Sequence, residues 1–188
     1  MGDIYTALFT SALAGDKDCG GVVNLPLFSG EPVVGLNEGR PMMVRTPDAA
    51  LTFANFSRSL VAGAMSSLKL GMDILARENV KIDSLLGHGG YFKTPVAGQT
   101  ILAASLNTPI SVMETAGEGG AWGIALLAAY MVRRNDGESL EDYLSGRVFA
   151  GRLGEALPPD PSDAAGLRVF IERYQRGLPI ERAAVEAL

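Results

Sequence analysis

The chain has 188 residues, enough for one domain with a sizeable core, and its 47% hydrophobic and 20% charged content excludes a disordered polypeptide. Sixteen basic against 21 acidic residues leave a net charge of −5, so a nucleic-acid backbone meets net repulsion, and Arg133–Arg134 is the densest basic pair. One histidine, His88, and one cysteine, Cys19, exclude a His/Cys zinc site within a single chain and any intramolecular disulfide.

A lone cysteine fits a reducing compartment. The opening Met1-Gly2-Asp3-Ile4-Tyr5 lacks the basic-then-apolar order of a secretory signal. The longest apolar run, Ile124 to Val132, is too short to span a bilayer. These features predict a cytoplasmic protein with neither a membrane nor a nucleic acid as partner. Twenty-three glycines, many of them clustered, point to loops that turn with positive φ or let something approach the backbone closely.

In chain order, Ile4, Ala7, Leu8, Ser11 and Ala12 recur at helical spacing and predict a short helix ending at Gly15. Residues 16–47 carry Gly and Pro every few positions, an irregular loop with one or two strands at Val22-Val23 and Val33-Val34. Thr46-Pro47-Asp48 reads as a helix start running to about residue 79, with Phe53, Phe56, Leu60, Ala64, Leu68 and Ile74 near one face. Then the pattern strand, glycine loop, helix occurs twice. Lys81 to Leu86, Gly87 to Gly90 and Thr94 to Leu106 form the first unit; Pro109 to Met113, Gly117 to Gly120 and Ala121 to Arg134 form the second. Strands joined by such a helix imply a right-handed parallel crossover, with both loops at the carboxyl edge where ligands bind in open α/β sheets. A short helix at Leu140 to Leu144 sits in a surface excursion, and a final helix runs from about Asp163 to Arg176, with Ile180 to Leu188 continuing after Pro179.

The stretch Leu85-Leu86-Gly87-His88-Gly89-Gly90-Tyr91-Phe92-Lys93-Thr94 offers unhindered backbone N–H groups beside a helix start, a setting suited to phosphate or nucleotide. It departs from a Walker A loop and from the dinucleotide fingerprint, because Phe92 stands where each needs Gly. A tight strand-to-helix turn is the plain alternative. A hydrolase site fails for want of a G-x-S-x-G elbow. In the second loop, Glu114 and Glu118 read as solvated or helix-start carboxylates. Gly123 lies inside the following helix, at a cost that close packing on the sheet would offset.

Three ordered segments resemble the carboxyl-terminal half of the FGGY family of carbohydrate kinases. Leu25-Pro26-Leu27-Phe28-Ser29-Gly30-Glu31-Pro32 is similar to the family's L-P-x-x-x-G-E-R, with Pro32 in place of Arg. Gly89-Gly90 through Gln99, Leu102-Ala103 and Leu106-Asn107 resembles its adenosine segment, and Glu114 through Ala129 its final Gly-Ala-rich segment, with Gly123 at the intrahelical Gly. The resemblance implies an actin-like, ribonuclease-H-like α/β ATPase domain, present as an incomplete C-terminal half with parallel strands and flanking helices. Residues 1–134 would be the nucleotide-side domain (core 22–134), and residues 135–188 a C-terminal extension whose last helix packs on it.

The resemblance further implies nucleotide contacts at Gly89, Gly90, Tyr91, Lys93, Thr94 and Pro95, with ATP/ADP and Mg²⁺ as cofactors of the complete enzyme. The expected reaction is phosphorylation of a ketopentose such as xylulose or ribulose, the sugar and the catalytic base residing in an amino-terminal half with no counterpart here. No catalytic or metal-ligating residue is expected in this chain, and no activity alone. A reading of a different class is a non-catalytic assembly module, possible as a homo-oligomer, whose open sheet edge pairs with another chain.

Overall fold

The computed structural model describes residues 2–94, 96–113, 119–150 and 155–188. After helix α1 (Gly2–Leu13) the chain turns through a short 3-10 segment at Cys19–Gly21 into strand β1 (Val22–Leu25). β1 pairs antiparallel with β2 (Met42–Arg45), Val22 opposite Arg45 and Leu25 opposite Met42. The Val33-Val34 run is a 3-10 turn rather than a strand, held by the Glu31 carboxylate, which accepts from the Val33 N–H.

Helix α2 (Phe53–Arg77) starts later than Thr46-Pro47-Asp48 predicts. Those residues close on themselves: the Ala49 N–H donates to the Thr46 carbonyl at 3.1 Å, and the Asp48 carboxylate bonds Thr46. The working cap is Thr52, whose hydroxyl accepts from the Asn55 N–H at 3.1 Å. The expected apolar face is also reversed. Phe53, Ala64, Leu68 and Ile74 are exposed, while Asn55, Ser57, Arg58, Ser59, Val61, Ala62, Gly63 and Ser66 are buried. Small and polar side chains win the inner face because neighbouring backbone comes close; a Cβ on Gly63 would run into the Asn24 carbonyl. α2 is also long and apolar enough to cross a membrane by length and composition, although it buries Arg58 within the protein.

Strands β3 (Leu85–Gly87) and β4 (Ile110–Val112) pair in parallel, Leu85 opposite Ile110 and Gly87 opposite Val112, joined by α3 (Ala97–Leu106). This is the predicted crossover. The far edge of β4 is closed by Leu157, which exchanges two backbone hydrogen bonds with Ile110 at 2.9 and 3.1 Å. Helix α4 (Gly119–Arg133) leads to α5 (Leu140–Tyr143), which the Ser139 hydroxyl caps and which runs on into a π turn at Leu144–Val148.

Helix α6 (Pro161–Ala187) is one continuous helix through Pro179. Proline there forfeits only the bond to the Gln175 carbonyl. Leu167, Phe170 and Tyr174 of α6 are fully buried with Ala12, Leu25 and Ile101, so this last helix is part of the central core.

Candidate functional site

Gly87 and Val112 end the two parallel strands, and the first glycine loop leaves from that edge. Gly87 has no room for a side chain, because the Phe92 ring lies where its Cβ would be. Two residues on, the environment changes. Gly89 has φ +102°, a backbone that L side chains rarely adopt, and nothing lies within 4 Å of where a Cβ would stand on Gly89 or Gly90. The loop closes in a single 3-10 turn at Gly90–Lys93, with the Phe92 N–H donating to the Gly89 carbonyl at 3.1 Å.

The second unit reaches the same place. A Cβ built on Gly119, the first residue of α4, would stand 3.0 Å from the His88 Cβ. The start of α4 therefore abuts the first glycine loop, and the carboxyl edge carries an open backbone ledge at Gly89 and Gly90. Such a ledge presents N–H groups without side-chain obstruction, the arrangement that anions and nucleotides exploit.

The remaining predicted contacts divide. Tyr91 turns inward: its hydroxyl donates to the Gly98 carbonyl at 3.1 Å, and its ring meets Phe9 and Phe92 edge-on at 5.4 and 5.1 Å. Burial pushes its phenol well above the ordinary range. Its ring packs against the core, filling the gap beside Gly98. Thr94 is buried and extended, and α3 starts only at Ala97 after Val96, whose φ is +69° and whose side chain caps nothing. The helix thus starts three residues later than the predicted Thr94. The Lys93 side chain, Pro95 and the segment Glu114 to Glu118 lie outside the described residues.

A further side chain fastens the crossover. The Gln99 side-chain amide donates to the Ile110 carbonyl at 2.6 Å and fastens α3 to β4, fixing the crossover that carries the ledge. The family resemblance includes Gln99, but not this bond to the neighbouring strand.

Cavities lie elsewhere. One of about 590 Å³ is bounded by α2, α3 and α6 and lined by Lys69, Asp73, Asn107, Arg168 and Glu172 among others. Another of about 990 Å³ lies between the Pro32–Gly35 turn, α2 and α6. A third, apolar and about 620 Å³, is lined by Leu86, Leu140, Leu144 and Phe149 and adjoins the glycine edge through β3. Neither Gly89 nor Gly90 lines any of these three. Among the described residues, no three His, Cys, Asp or Glu side chains gather as a cation would require.

The model of the FGGY family of carbohydrate kinases, C-terminal domain, matches residues 3–132. No curated protein sequence matches the chain. Among solved structures, the xylulose kinase from Rhodospirillum rubrum is similar at 20% identity and TM-score 0.62, covering 94% of this chain and 34% of that one. The gluconate kinase from Lactobacillus acidophilus matches at 20% identity and TM-score 0.70, covering 90% and 33%. The Plasmodium falciparum glycerol kinase with ADP matches at 19% identity and TM-score 0.66, covering 94% and 33%. The chain thus spans about a third of the length of these kinases. Its parallel crossover, its glycine edge and the ordered match over residues 3–132 agree: the chain belongs to the FGGY family of carbohydrate kinases and carries the actin-like, ribonuclease-H-like fold of that family's C-terminal domain.

Proposed function

We propose that this chain is the nucleotide-side part of an ATP-dependent carbohydrate kinase of the cytoplasm, with residues 1–134 as the nucleotide-side unit and 135–188 as an extension closing the same core. The observation that carries the reading is the convergence of the two glycine loops, Gly119 against His88, beside the unobstructed backbone of Gly89 and Gly90. In this reading Gly89 and Gly90 lie against the nucleotide, and Lys93, Thr94 and Pro95 flank it. Tyr91 contributes only its backbone and, through its buried ring, the rigidity of the turn.

Phosphoryl transfer needs the nucleotide, the acceptor hydroxyl and a base held in line, with magnesium neutralising charge on the transferred group. The described residues offer the first of these alone. In this reading magnesium arrives with the nucleotide and neutralises charge on the phosphates. The chain's own work is to bind and orient the nucleotide; the sugar and the base belong to further polypeptide. A ketopentose such as xylulose or ribulose is the proposed acceptor. The similar xylulose kinase supports it.

Calorimetric titration with ADP, run on the wild type and on Gly90→Val, tests this. Branched carbons at Gly90 fill the ledge, so the binding heat is expected to vanish; equal heats would overturn the assignment. Mixed with ATP, Mg²⁺ and xylulose or ribulose, the chain alone is expected to yield no phosphorylated sugar.

A further inference from the structure

Where α2, α3 and α6 meet they leave a cleft of about 590 Å³, within the range of about 300–1,000 Å³ that small-molecule sites occupy. Small side chains explain the gap. Ala104 of α3 and Ala164 and Ala165 of α6 carry one carbon beyond the backbone, so the helices cannot fill the space between them. With Ile171 these methyl groups make an apolar floor. Ser105 adds little polarity to it, because its hydroxyl is spent on the Ile101 carbonyl at 2.7 Å.

The rim is polar, and its charges follow the helix turn. On α2, Lys69 and Asp73 stand four residues apart and pair with each other. On α6, Arg168 and Glu172 have the same spacing, yet among the described residues neither enters an ion pair. Asn107 and Gln175 add side-chain amides. Two cations and two carboxylates sum to zero, so net charge draws neither a simple anion nor a simple cation into the cleft. A molecule with one charge of each sign satisfies Arg168 and Glu172 together and leaves the Lys69–Asp73 pair unbroken.

We propose that this cleft binds an aliphatic α-amino acid: its carboxylate accepts from the Arg168 guanidinium, its ammonium donates to the Glu172 carboxylate, and its side chain lies on the Ala104, Ala164 and Ala165 floor. A guanidinium suits that carboxylate because it offers two parallel donors. Both ends of the ligand are needed, since a charged group brought into the cleft without a partner costs more than it returns. A neutral polyol finds the amides but uses neither free charge, and a phosphate that reaches Arg168 also faces Glu172 and Asp73. The site goes beyond the nucleotide reading, because neither Gly89 nor Gly90 lines it.

Ligand-detected saturation-transfer NMR on the purified chain, with L-leucine as the probe, tests the assignment. Saturation is expected to reach L-leucine most strongly at its methyl groups. L-leucine should also bind at least about tenfold tighter than 4-methylpentanoate or 3-methylbutylamine, each of which lacks one charge-assisted hydrogen bond. The double variant Arg168→Gln/Glu172→Gln is expected to abolish the transfer, and so is Ala165→Phe, which fills the floor from an exposed position. Circular dichroism identifies which variants are folded. No transfer to L-leucine, equal binding of either singly charged analogue, displacement of L-leucine by ribitol or by inorganic phosphate, or undiminished transfer in a folded variant would overturn the proposal.

Discussion

Arg58 of α2 and Asp163 of α6 form an ion pair sealed from water, the guanidinium 1% and the carboxylate 8% exposed. The same guanidinium donates to the Ala12 carbonyl of α1 at 3.3 Å, and the Lys17 ammonium stands 2.9 Å from the same Asp163 oxygen. One charge cluster therefore ties α1, α2 and α6 together at the heart of the core. A buried pair of this kind contributes little over an apolar replacement, but removing one partner strands the other.

Asp163→Ala is accordingly expected to destabilise the protein by about 3–5 kcal/mol, because Arg58 remains buried without its counter-charge. Lys17→Ala removes a half-exposed partner and should cost about 1 kcal/mol or less. Urea unfolding monitored by circular dichroism compares the two; equal effects would show that Asp163 is more solvated than its surroundings indicate.

The same carboxylate sets an acid limit on stability. Burial works to raise the Asp163 pKa, but the Lys17 hydrogen bond and the Arg58 charge outweigh it and hold the group below its ordinary 3.8. Asp18 behaves alike: burial opposes, and the Arg173 hydrogen bond at 2.7 Å with the Gly20 N–H prevails. Both carboxylates stay ionised in the fold at pH values where the unfolded chain protonates them, so their contribution is present above about pH 4 and lost as pH falls further. Urea midpoints are expected to drop between pH 5 and 3, and the slope to flatten in Asp18→Asn/Asp163→Asn. A slope unchanged in that variant would refute the assignment.

The sequence showed the parallel crossover and its glycine edge because both rest on local signals, a change of hydrophobic period and glycines at the strand ends. It misled where tertiary contacts overrode local chemistry. Thr46-Pro47-Asp48 has the composition of a helix start, yet Gly21 leaves no space beside Thr46 and the segment turns before Thr52 caps α2. The inner face of α2 departs from its period for a related reason. Period alone favours Phe53 and Leu68, but only small residues fit against the β1 backbone, and Arg58 is drawn inward by Asp163, 105 residues away. Tyr91 shows the same limit: the direction of its ring depends on Gly98 and Phe9, distant in sequence from the local glycine signal.

Gly89 and Gly90 are neighbours with different demands. Both have open space, but Gly89 alone has positive φ. Gly89→Ala is expected to cost about 1–3 kcal/mol through backbone strain, whereas Gly90→Ala should stay within about 0.5 kcal/mol. Thermal unfolding of the two variants checks this, and comparable losses would show that the ledge at Gly90 is not open.

Cys19 offers a readout of global opening that is independent of the site. The residue is fully buried, holds φ +63°, and burial pushes its thiol up to about 12, above the ordinary 9.0. A raised value means that the fold keeps the neutral thiol while the unfolded chain ionises. The corresponding stability is complete below about pH 9 and is lost as pH climbs toward 12. Thiolate is the reactive form, so an aromatic disulfide reagent at pH 8 should modify the native protein only at the rate of unfolding. Labelling is expected to accelerate steeply in urea, and more so in Asp163→Ala, whose core is already weakened. Rapid stoichiometric labelling of the wild type without denaturant would mean that the 3-10 segment holding Cys19 opens without the rest of the core.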